Sequence, residues 1–478
     1  MNSSEEVKEN SKVERLEKEF PVVEQPDDSD IGTKGAKGAK HMTKIPGRTW
    51  FIIIIISFFA QMAWAVENNF FNLFIQDTFG ASLSDVALMV SLSALTATAT
   101  TLFIGAWSDR KGRRKLFVVT GTFLWGASIL VFSFLQNISF ALAGTAAAAA
   151  ALGITLTVVF DCVMTFFGSF ANDSAFNAWV TDITDDTNRG KVEGVISAMP
   201  LLALLAVFGG AMFFMTVSPD GFVSYDYPVF FGIIGVGVLV VGVLALIFMK
   251  DSNPVIDDNA SYLKDVFYGF RPIAVRENKM LYLVLLGFCV FSMALQVFMP
   301  YYVLYLRLPY ILGEAYVFVM APGIVIAALF TILYGRSVDR IGFVKAIIIP
   351  VILFIIGCLM LTLFTDTALV FIGSALMLSG YLGAQACFGA EVRNNTPLNR
   401  VGLFQGIRIF MVVLIPMLIG PWIGSTISAS PGSDLAFGVV GDGFTPSSLI
   451  FLGGAIVALF TFIVIAVIAR SKKRDRKS

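Results

Sequence analysis

The sequence is poor in charged residues and in the side chains that most enzymes use for catalysis. Charged residues make up 14% of its 478 positions, whereas soluble domains carry about 25%. It has one histidine, His41, and four cysteines, none of them in a CxxC pair. It also lacks the GxxxxGK(S/T), HExxH and GxSxG motifs. These absences argue against an enzyme, against transport driven by nucleotide hydrolysis, and against a bound metal or a disulfide framework.

What the sequence does contain is long apolar runs. Hydrophobic residues reach 56%, the mean hydropathy is +0.79, and the runs recur from Trp50 to Arg470 with short breaks. About 20 consecutive apolar residues are enough to cross a bilayer as a helix. The sequence therefore predicts an all-α polytopic membrane protein whose surroundings are lipid. Its net charge is zero, so nothing in the charge indicates a nucleic-acid partner.

The runs predict twelve transmembrane spans. The alanine-rich stretch 141–152 can belong to the third span, to the fourth, or to a loop between them. The predicted spans are 49–76, 84–107, 115–136, 148–181, 191–216, 227–249, 280–305, 312–334, 344–364, 367–391, 401–427 and 447–469.

Basic residues are distributed asymmetrically over this topology. Of the 34 Lys and Arg residues, all but Arg307 and Arg408 fall in the termini and in the loops of one side. Loops rich in Lys and Arg stay in the cytoplasm. We therefore expect both termini to be cytoplasmic in a multi-pass protein of the plasma membrane.

A polar segment after the sixth span divides the chain into two halves. The predicted organisation is a disordered cytoplasmic tail, a six-helix bundle, a cytoplasmic linker, a second six-helix bundle and a short basic tail. Their respective boundaries are 1–44, 45–250, 251–279, 280–470 and 471–478.

A short motif occurs once in each half, at an offset of 230 residues. The first copy, after span 2, contains Gly105, Asp109, Arg110, Gly112 and Arg113, and the second, after span 8, contains Asp339 and Arg340. Glycines permit a tight turn, and fixed charges at helix ends can pair in one conformation and separate in another. The alternative is a simple turn whose charges only set the topology, an alternative that the second copy weakens.

This motif resembles the signature loop of the major facilitator superfamily. The resemblance covers all twelve spans and implies two pseudo-symmetric six-helix bundles around a central cavity that opens to alternate sides. It also implies that the charged residues of both copies gate the cytoplasmic face and do not touch the solute.

The segment from Asn172 to Gly190 resembles the glycoside–pentoside–hexuronide:cation symporters, which include the melibiose permeases. In that family an aspartate at the position of Asp173 takes part in cation and sugar binding. Sodium-coupled members also carry carboxylates on span 2, where this chain has none between Leu92 and Thr101. The resemblance therefore favours a proton over sodium as the coupling ion, with no other cofactor.

Span 1 carries a polar and aromatic stripe. Gln61, Trp64 and Asn68 recur at helical spacing, and Glu67 lies at the edge of the stripe. Aromatic rings and amides suit a hydroxylated solute, so we expect these four residues to line a solute site. The alternative is packing between helices, in which polar side chains satisfy one another.

Span 4 contains four polar residues, Asp161, Asn172, Asp173 and Asn177. Asp173 is expected near mid-membrane, where ionisable groups are costly and therefore functional by default; Asn177 and Phe176 are expected on its face. We predict cation coupling at Asp173 and Glu67 and solute contacts at Asn172 and Asn177. For Asp173 the alternative is structural burial. Asp161 is expected toward the outer end, where a solvated or capping role is the alternative to a functional one.

The second half contributes fewer polar residues at membrane depth. Arg408 is the cation inside span 11; it is expected to be an internal counter-ion for Asp173 or Glu67, and the alternative is a site for an anionic solute. Gln296, Tyr381 and Gln385 are expected to complete the solute site.

Together these features predict a secondary active transporter that moves a sugar, a glycoside or another small polar solute together with a cation. The alternatives are an exporter of drugs or lipid-like solutes, a carrier without coupling, and a transporter-like receptor that binds a solute without moving it. A monomer is sufficient for this architecture.

Overall fold

The computed structural model describes residues 45–111, 113–185, 188–252, 268–396, 401–430 and 443–475. The predicted N-terminal tail, most of the linker after span 6 and the last basic residues lie outside them. The described residues contain twelve helices that are long and apolar enough to cross a membrane. The fold is thus that of a twelve-span, nearly all-helical membrane protein.

The observed spans agree with the predicted ones to within a few residues. They are Gly47–Phe79, Leu83–Ile104, Arg114–Phe132, Ala146–Ile183, Arg189–Phe214, Tyr227–Phe248, Lys279–Leu306, Gly313–Gly335, Phe343–Leu363, Thr367–Asn395, Gly406–Ala429 and Leu449–Lys473. Spans 2, 8 and 12 continue as helices to Lys111, Ile341 and Asp475. Two short helices, Leu135–Leu142 and Pro272–Glu277, lie between spans.

The alanine-rich stretch belongs mainly to span 4. The Thr145 hydroxyl accepts a hydrogen bond from the backbone N–H of Ala148 at 3.2 Å, an N-cap that starts the helix at Ala146. The preceding helix Leu135–Leu142 is a separate element.

One element departs from the all-α expectation. Met215–Val217 and Val223–Tyr225 form an antiparallel hairpin between spans 5 and 6. Its turn includes Gly221 at a φ of 78°, a backbone conformation that favours glycine. Strands this short carry too little periodicity to be predicted from the sequence.

Four spans are irregular at membrane depth. Spans 1, 4 and 11 widen into π-helical turns at Glu67–Phe71, Ser169–Phe176 and Phe410–Leu414. Span 7 breaks between Gln296 and a 3₁₀ turn at Met299–Tyr301. Such interruptions are frequent at functional sites, and in membranes they occur where the backbone is buried in protein or lines a cavity.

We call the face at which span 1 begins and span 12 ends the proximal face, and the opposite one the distal face. The hydrogen bonds that the structure describes between spans 1–6 and spans 7–12 lie toward the distal face. The Tyr301 hydroxyl lies 3.1 Å from the Leu83 carbonyl and 2.7 Å from the Pro421 carbonyl, and Asn72 Nδ2 donates to the Pro300 carbonyl at 3.1 Å.

A proline supplies one more of these contacts. Pro421 has no N–H, so the Met417 carbonyl one turn earlier has no helical donor. The Ser91 hydroxyl of span 2 lies 3.3 Å from that oxygen, and Trp422 Nε1 donates to Ser91 Oγ at 3.1 Å. We refer to these contacts between halves, together with the ion pair described below, as the distal seal.

Candidate functional site

The polar stripe of span 1 lies in and next to its π-helical turn. The amides of Asn68 and Asn69 donate to the Trp64 and Ala65 carbonyls at 2.7 and 2.8 Å. These bonds return donors to carbonyls that a widened turn leaves poorly paired. The side-chain amides of Asn68 and Asn69 therefore stabilise the irregular turn locally.

Asn68 faces the second half of the protein. It is exposed and lies one helical turn before Asn72, whose amide bonds the Pro300 carbonyl of span 7. Gln296 is half-buried and lies four residues before Pro300 on span 7. Asn68 and Gln296 each lie four residues to the proximal side of this contact in their own spans.

Gln61 and Trp64 are half-buried. The Trp64 ring lies 5.1 Å from that of Trp125 and packs against Gly168, where a Cβ would come within 2.8 Å of it. Much of this indole is therefore used in packing between spans 1, 3 and 4. Its role as a solute contact stays a prediction for its exposed edge.

Glu67 is buried, not exposed on the stripe. Its Oε1 accepts hydrogen bonds from Ser93 Oγ of span 2 at 2.7 Å and from Thr165 Oγ1 of span 4 at 2.8 Å. Its Oε2 is buried and has no hydrogen-bond partner. Glu67 thus joins three spans of the first half, whereas the neighbouring Asn68 is exposed.

The solvated or capping role considered for Asp161 is wrong. Its carboxyl is 1% exposed, with a buried Oδ1 that has no partner, so a solvated or capping role at the outer end is excluded in this structure. It lies near Glu67 and Ser93 and interacts with both. The sequence signal was available: the spacing of four from Asp161 to Thr165 puts both on one helical face.

The other polar residues of span 4 lie in its π-helical turn or directly after it. Asn172 Nδ2 donates to Asp173 Oδ1 at 2.9 Å, and Asn177 Nδ2 donates to the Asp173 carbonyl at 3.2 Å. Asn177 is exposed, Asp173 half-buried and Asn172 buried. Phe176 does not share their face, because it is buried and stacks on Trp179 at 5.9 Å.

Arg408 is exposed just before the π-helical turn of span 11. The charged group that it interacts with is Arg393, at the end of span 10. The ion pairs of the described residues join other partners, so Arg408 does not pair with Asp173 or Glu67 in this conformation. Its assignment as a counter-ion stays a prediction for another state of the cycle.

Tyr381 and Gln385 lie one turn apart on span 10, both half-buried, and their polar ends interact. They supply a phenol and an amide from the second half. With Gln296 they remain the predicted solute contacts on that side.

The predicted proximal gate falls largely on residues whose side chains the structure does not describe. These are Gly105, Asp109, Arg110, Asp339 and Arg340, and Gly112 lies wholly outside the described residues. Gly105 is helical, so it is not part of a turn. Gly342, the counterpart of Gly112 in the second copy, has a φ of 78°, as a tight turn requires.

Two described ion pairs at the proximal face each lie within one half. Arg114 Nε and Asp182 Oδ2 are 3.1 Å apart, and Lys472 Nζ and Glu391 Oε1 are 2.5 Å apart. Arg113, a predicted gate residue, is exposed. These pairs tie spans 3 to 4 and 10 to 12, so they stabilise each bundle as a unit.

The distal face holds an ion pair between the halves that the sequence analysis missed. The Arg307 guanidinium binds both carboxylate oxygens of Asp77, with Nη1 2.6 Å from Oδ2, and Nη1 also donates to the Val223 carbonyl at 3.0 Å. Burial opposes the charge of Arg307, but the Asp77 carboxylate outweighs it and raises the pKa of the guanidinium. The signal was the one basic residue on this side of the predicted topology.

Three tyrosines lie around this pair. The Tyr227 hydroxyl donates to Asp77 Oδ2 at 2.5 Å, and the hydroxyls of Tyr225 and Tyr316 bond each other across the halves. Burial raises the pKa of Tyr225 to about 12, so its phenol stays neutral at physiological pH. The distal seal is therefore a bidentate ion pair surrounded by neutral donors and carbonyl acceptors.

Comparisons with known proteins agree on the fold. The sequence model of the Major Facilitator Superfamily matches residues 53–421, and no curated protein matches the chain. The bacterial homologue of the human lysosomal transporter Spinster, inward-facing and occupied, superposes with a TM-score of 0.67 at 12% identity, covering 89% of this chain and 98% of that one.

Two further solved structures are similar. The unoccupied inward-facing form of the same Spinster homologue gives a TM-score of 0.59 at 13% identity, with 89% and 96% coverage. The nucleoside transporter NupG gives 0.57 at 12% identity, with 88% and 98% coverage. Identities this low establish a common fold and no common solute. With twelve spans and a family match over most of its length, the chain belongs to the major facilitator superfamily and is a membrane transporter, not an enzyme.

Proposed function

We propose that the protein is a secondary active transporter that moves a small polar solute, a sugar or a glycoside, by alternating access together with a proton. The observation that carries this proposal is the position of Asn68. It is an exposed amide in the widened turn of span 1, four residues to the proximal side of a contact in the distal seal and beside the buried Glu67. The proposed solute contact Asn68 and the ionisable Glu67 thus lie in the same π-helical turn of span 1.

The residues around Asn68 suit a hydroxylated solute. Amides both donate and accept hydrogen bonds, and Asn68, Asn177, Gln296 and Gln385 are all exposed or half-buried. Tyr381 and the exposed edge of Trp64 offer rings for the apolar faces of a sugar. The resemblance of the segment after Asn172 to the glycoside–pentoside–hexuronide:cation symporters supports the same class of solute.

The closed distal seal defines the state of the cycle. With the halves joined at that face, polar groups below the seal reach solvent from the proximal side. The basic residues of the proximal loops favour a cytoplasmic location for that face. We therefore assign this conformation to the inward-facing state of a carrier in the plasma membrane.

Flux in proteoliposomes that contain a trapped pH dye tests the proposal. We would add sugars, O-glycosides and nucleosides one at a time without sodium, and compare the wild type with Asp173→Asn and Glu67→Gln. A solute-driven proton influx that Glu67→Gln abolishes would support proton symport. Asp366→Asn is the matched control, since Asp366 only caps span 10 from the distal side.

The same assay separates the alternatives. Flux that requires sodium would contradict proton coupling, and flux that neither substitution alters would indicate a carrier without coupling. Binding of a solute without flux would indicate a receptor. Silence with every polar solute, together with extrusion of a lipophilic dye, would overturn the proposal in favour of an exporter.

A further inference from the structure

Three side-chain oxygen atoms, one each from spans 1, 2 and 4, form a closed triangle that includes Glu67 Oε1. Ser93 Oγ and Thr165 Oγ1 lie 2.7 and 2.8 Å from Glu67 Oε1 and 2.7 Å from each other. Each of these distances is that of an O–H···O hydrogen bond. Two hydroxyls supply only two hydrogen atoms for three contacts, so an ionised Glu67 leaves one contact without a hydrogen.

A second carboxyl adjoins this triangle. Asp161 interacts with Glu67 and Ser93, and Glu67 Oε2 and Asp161 Oδ1 are both buried without any hydrogen-bond partner. Glu67 is 8% and Asp161 1% exposed. Two ionised carboxylates at this depth would each incur a desolvation cost that no neighbouring cation offsets.

The surroundings contain no such cation among the described residues. The titratable groups that face the pair are Cys162 and Asp173, and neither is positive. The interiors of spans 2 and 3, residues 86–104 and 116–132, contain no charged side chain. The negative charge of Glu67 and Asp161 must therefore be neutralised by a small cation that enters the site.

The spacing of the triangle discriminates between a proton and a metal ion. Oxygen ligands about 2.4 Å from a hard cation stand about 3.4 Å apart around an octahedron. The three oxygens here are 2.7–2.8 Å apart, which is too close for the ligands of a shared ion of this size and correct for shared hydrogens.

We propose that Glu67 and Asp161 form a buried two-carboxylate proton site, closed by the hydroxyls of Ser93 and Thr165. One proton on the pair supplies the missing hydrogen and removes one of two buried charges. The assignment of this proton to coupling rests on the proposed function, and it moves the coupling centre from Asp173 to Asp161.

The position of Asp173 gives it a different task. It lies eight residues beyond Thr165, about 12 Å along the helix toward the proximal face, and it is half-buried. Asp173 thus stands between the proximal solvent and the pair, where it can pass a proton without holding the coupling charge.

Infrared difference spectroscopy of the purified protein tests the site without any solute. Between pH 5 and 8 we expect the wild type to lose a carboxylic-acid C=O band that is sensitive to deuteration. In an Asp173→Asn background, which removes the other buried carboxyl of span 4, the double variant Glu67→Gln/Asp161→Asn should lose this band entirely, and Asp173→Asn and Asp366→Asn alone should keep it. Monodisperse elution in detergent checks that each variant is folded.

Ser93→Ala provides a second, milder test. It removes one donor to the ionised Glu67, so the band should persist to a pH about one unit higher. A band that survives in the double variant, one that disappears in Asp173→Asn alone, or a wild type with no such band would overturn the proposal. A titrating band in a protein without proton flux would leave the site in place and reject symport only.

Discussion

Asn68 and Asn69 are neighbours in the same widened turn, and each amide bonds the carbonyl four residues earlier at almost the same distance. Their surroundings differ, because Asn68 is exposed and Asn69 is buried with 9% of its surface accessible. The backbone role is therefore common to both residues, and any contact with a solute belongs to Asn68. Side-chain identity alone could not have separated them.

This pair gives a matched prediction. For the solute that drives flux, Asn68→Ala should lower the affinity about fivefold, the loss of about 1 kcal/mol of hydrogen bonding, with little change in thermal stability. Asn69→Ala should leave the affinity unchanged and lower the free energy of unfolding by about 1–3 kcal/mol, since a buried carbonyl loses its donor. Equal effects of both substitutions on affinity would contradict the assignment.

At the scale of elements, spans 7 and 11 approach closely because span 11 presents glycine where span 7 breaks. A Cβ on Gly424 would lie 1.9 Å from the Val297 carbonyl oxygen, and one on Gly420 would lie 2.5 Å from Gln296 Cβ. The approach brings the Tyr301 hydroxyl to the Pro421 carbonyl. The glycines and the proline of span 11 thus serve the distal seal.

Gly424→Ala should therefore destabilise the protein. The added methyl group must push the two spans apart, at a cost of about 1–3 kcal/mol, and the midpoint of thermal unfolding in detergent should fall. Gly209→Ala in span 5 is the control, because no atom lies within 4 Å of its added Cβ and alanine favours the helix by about 0.5–1 kcal/mol. If Gly424→Ala unfolded no earlier than this control, the close packing would not be needed.

The membrane-spanning helices also show which parts of the fold could be predicted from the sequence. The twelve spans follow from hydrophobic length, and their ends agree with the structure because polar loops mark them. The π-helical turns of spans 1, 4 and 11 leave no such mark, since one extra residue in a turn changes direction but not composition. That shift explains why Phe176 packs inward, away from the face of Asp173.

At the scale of the whole molecule, the distal seal holds the two halves in one of two arrangements. Its strongest contact is the bidentate pair of Arg307 and Asp77, both largely buried, with 10% and 18% of their side chains exposed. Breaking one partner of a buried pair costs about 3–5 kcal/mol. The free-energy cost of losing the Asp77 carboxylate is far smaller when the distal face is open and Arg307 is hydrated.

Asp77→Asn should consequently shift the population toward the distal-open state. In a Cys162→Ala background with Ser91→Cys as reporter, labelling by an impermeant maleimide added from the distal side should become about tenfold faster or more. The buried hydroxyl of Ser91 lies within the seal, so it becomes accessible only when the halves separate. Asp366→Asn should label at the rate of the parent, and unchanged labelling in Asp77→Asn would show that the pair does not hold the seal.

The tyrosines of the seal predict its dependence on pH. Burial raises the pKa of Tyr225 to about 12, above its value of about 10 in an open, hydrated state. The preference for the closed state is thus fully present below pH 10 and declines as the pH rises toward 12. In the same labelling assay, Tyr225→Phe should weaken this alkaline dependence, and an unchanged dependence in that variant would assign it to another group.

In the distal seal, the hydrogen-bond donors and the main-chain acceptors differ in how strongly they depend on residue type. Asn72, Ser91, Tyr301 and Arg307 donate through their side chains, whereas the acceptors at Pro300, Met417, Leu83 and Val223 are main-chain carbonyls. Every residue type carries such a carbonyl. Over evolutionary time these main-chain acceptor positions can therefore accumulate substitutions without opening the seal, while each donor position, and the side-chain acceptor Asp77, is restricted to the few residue types that can make the same bond.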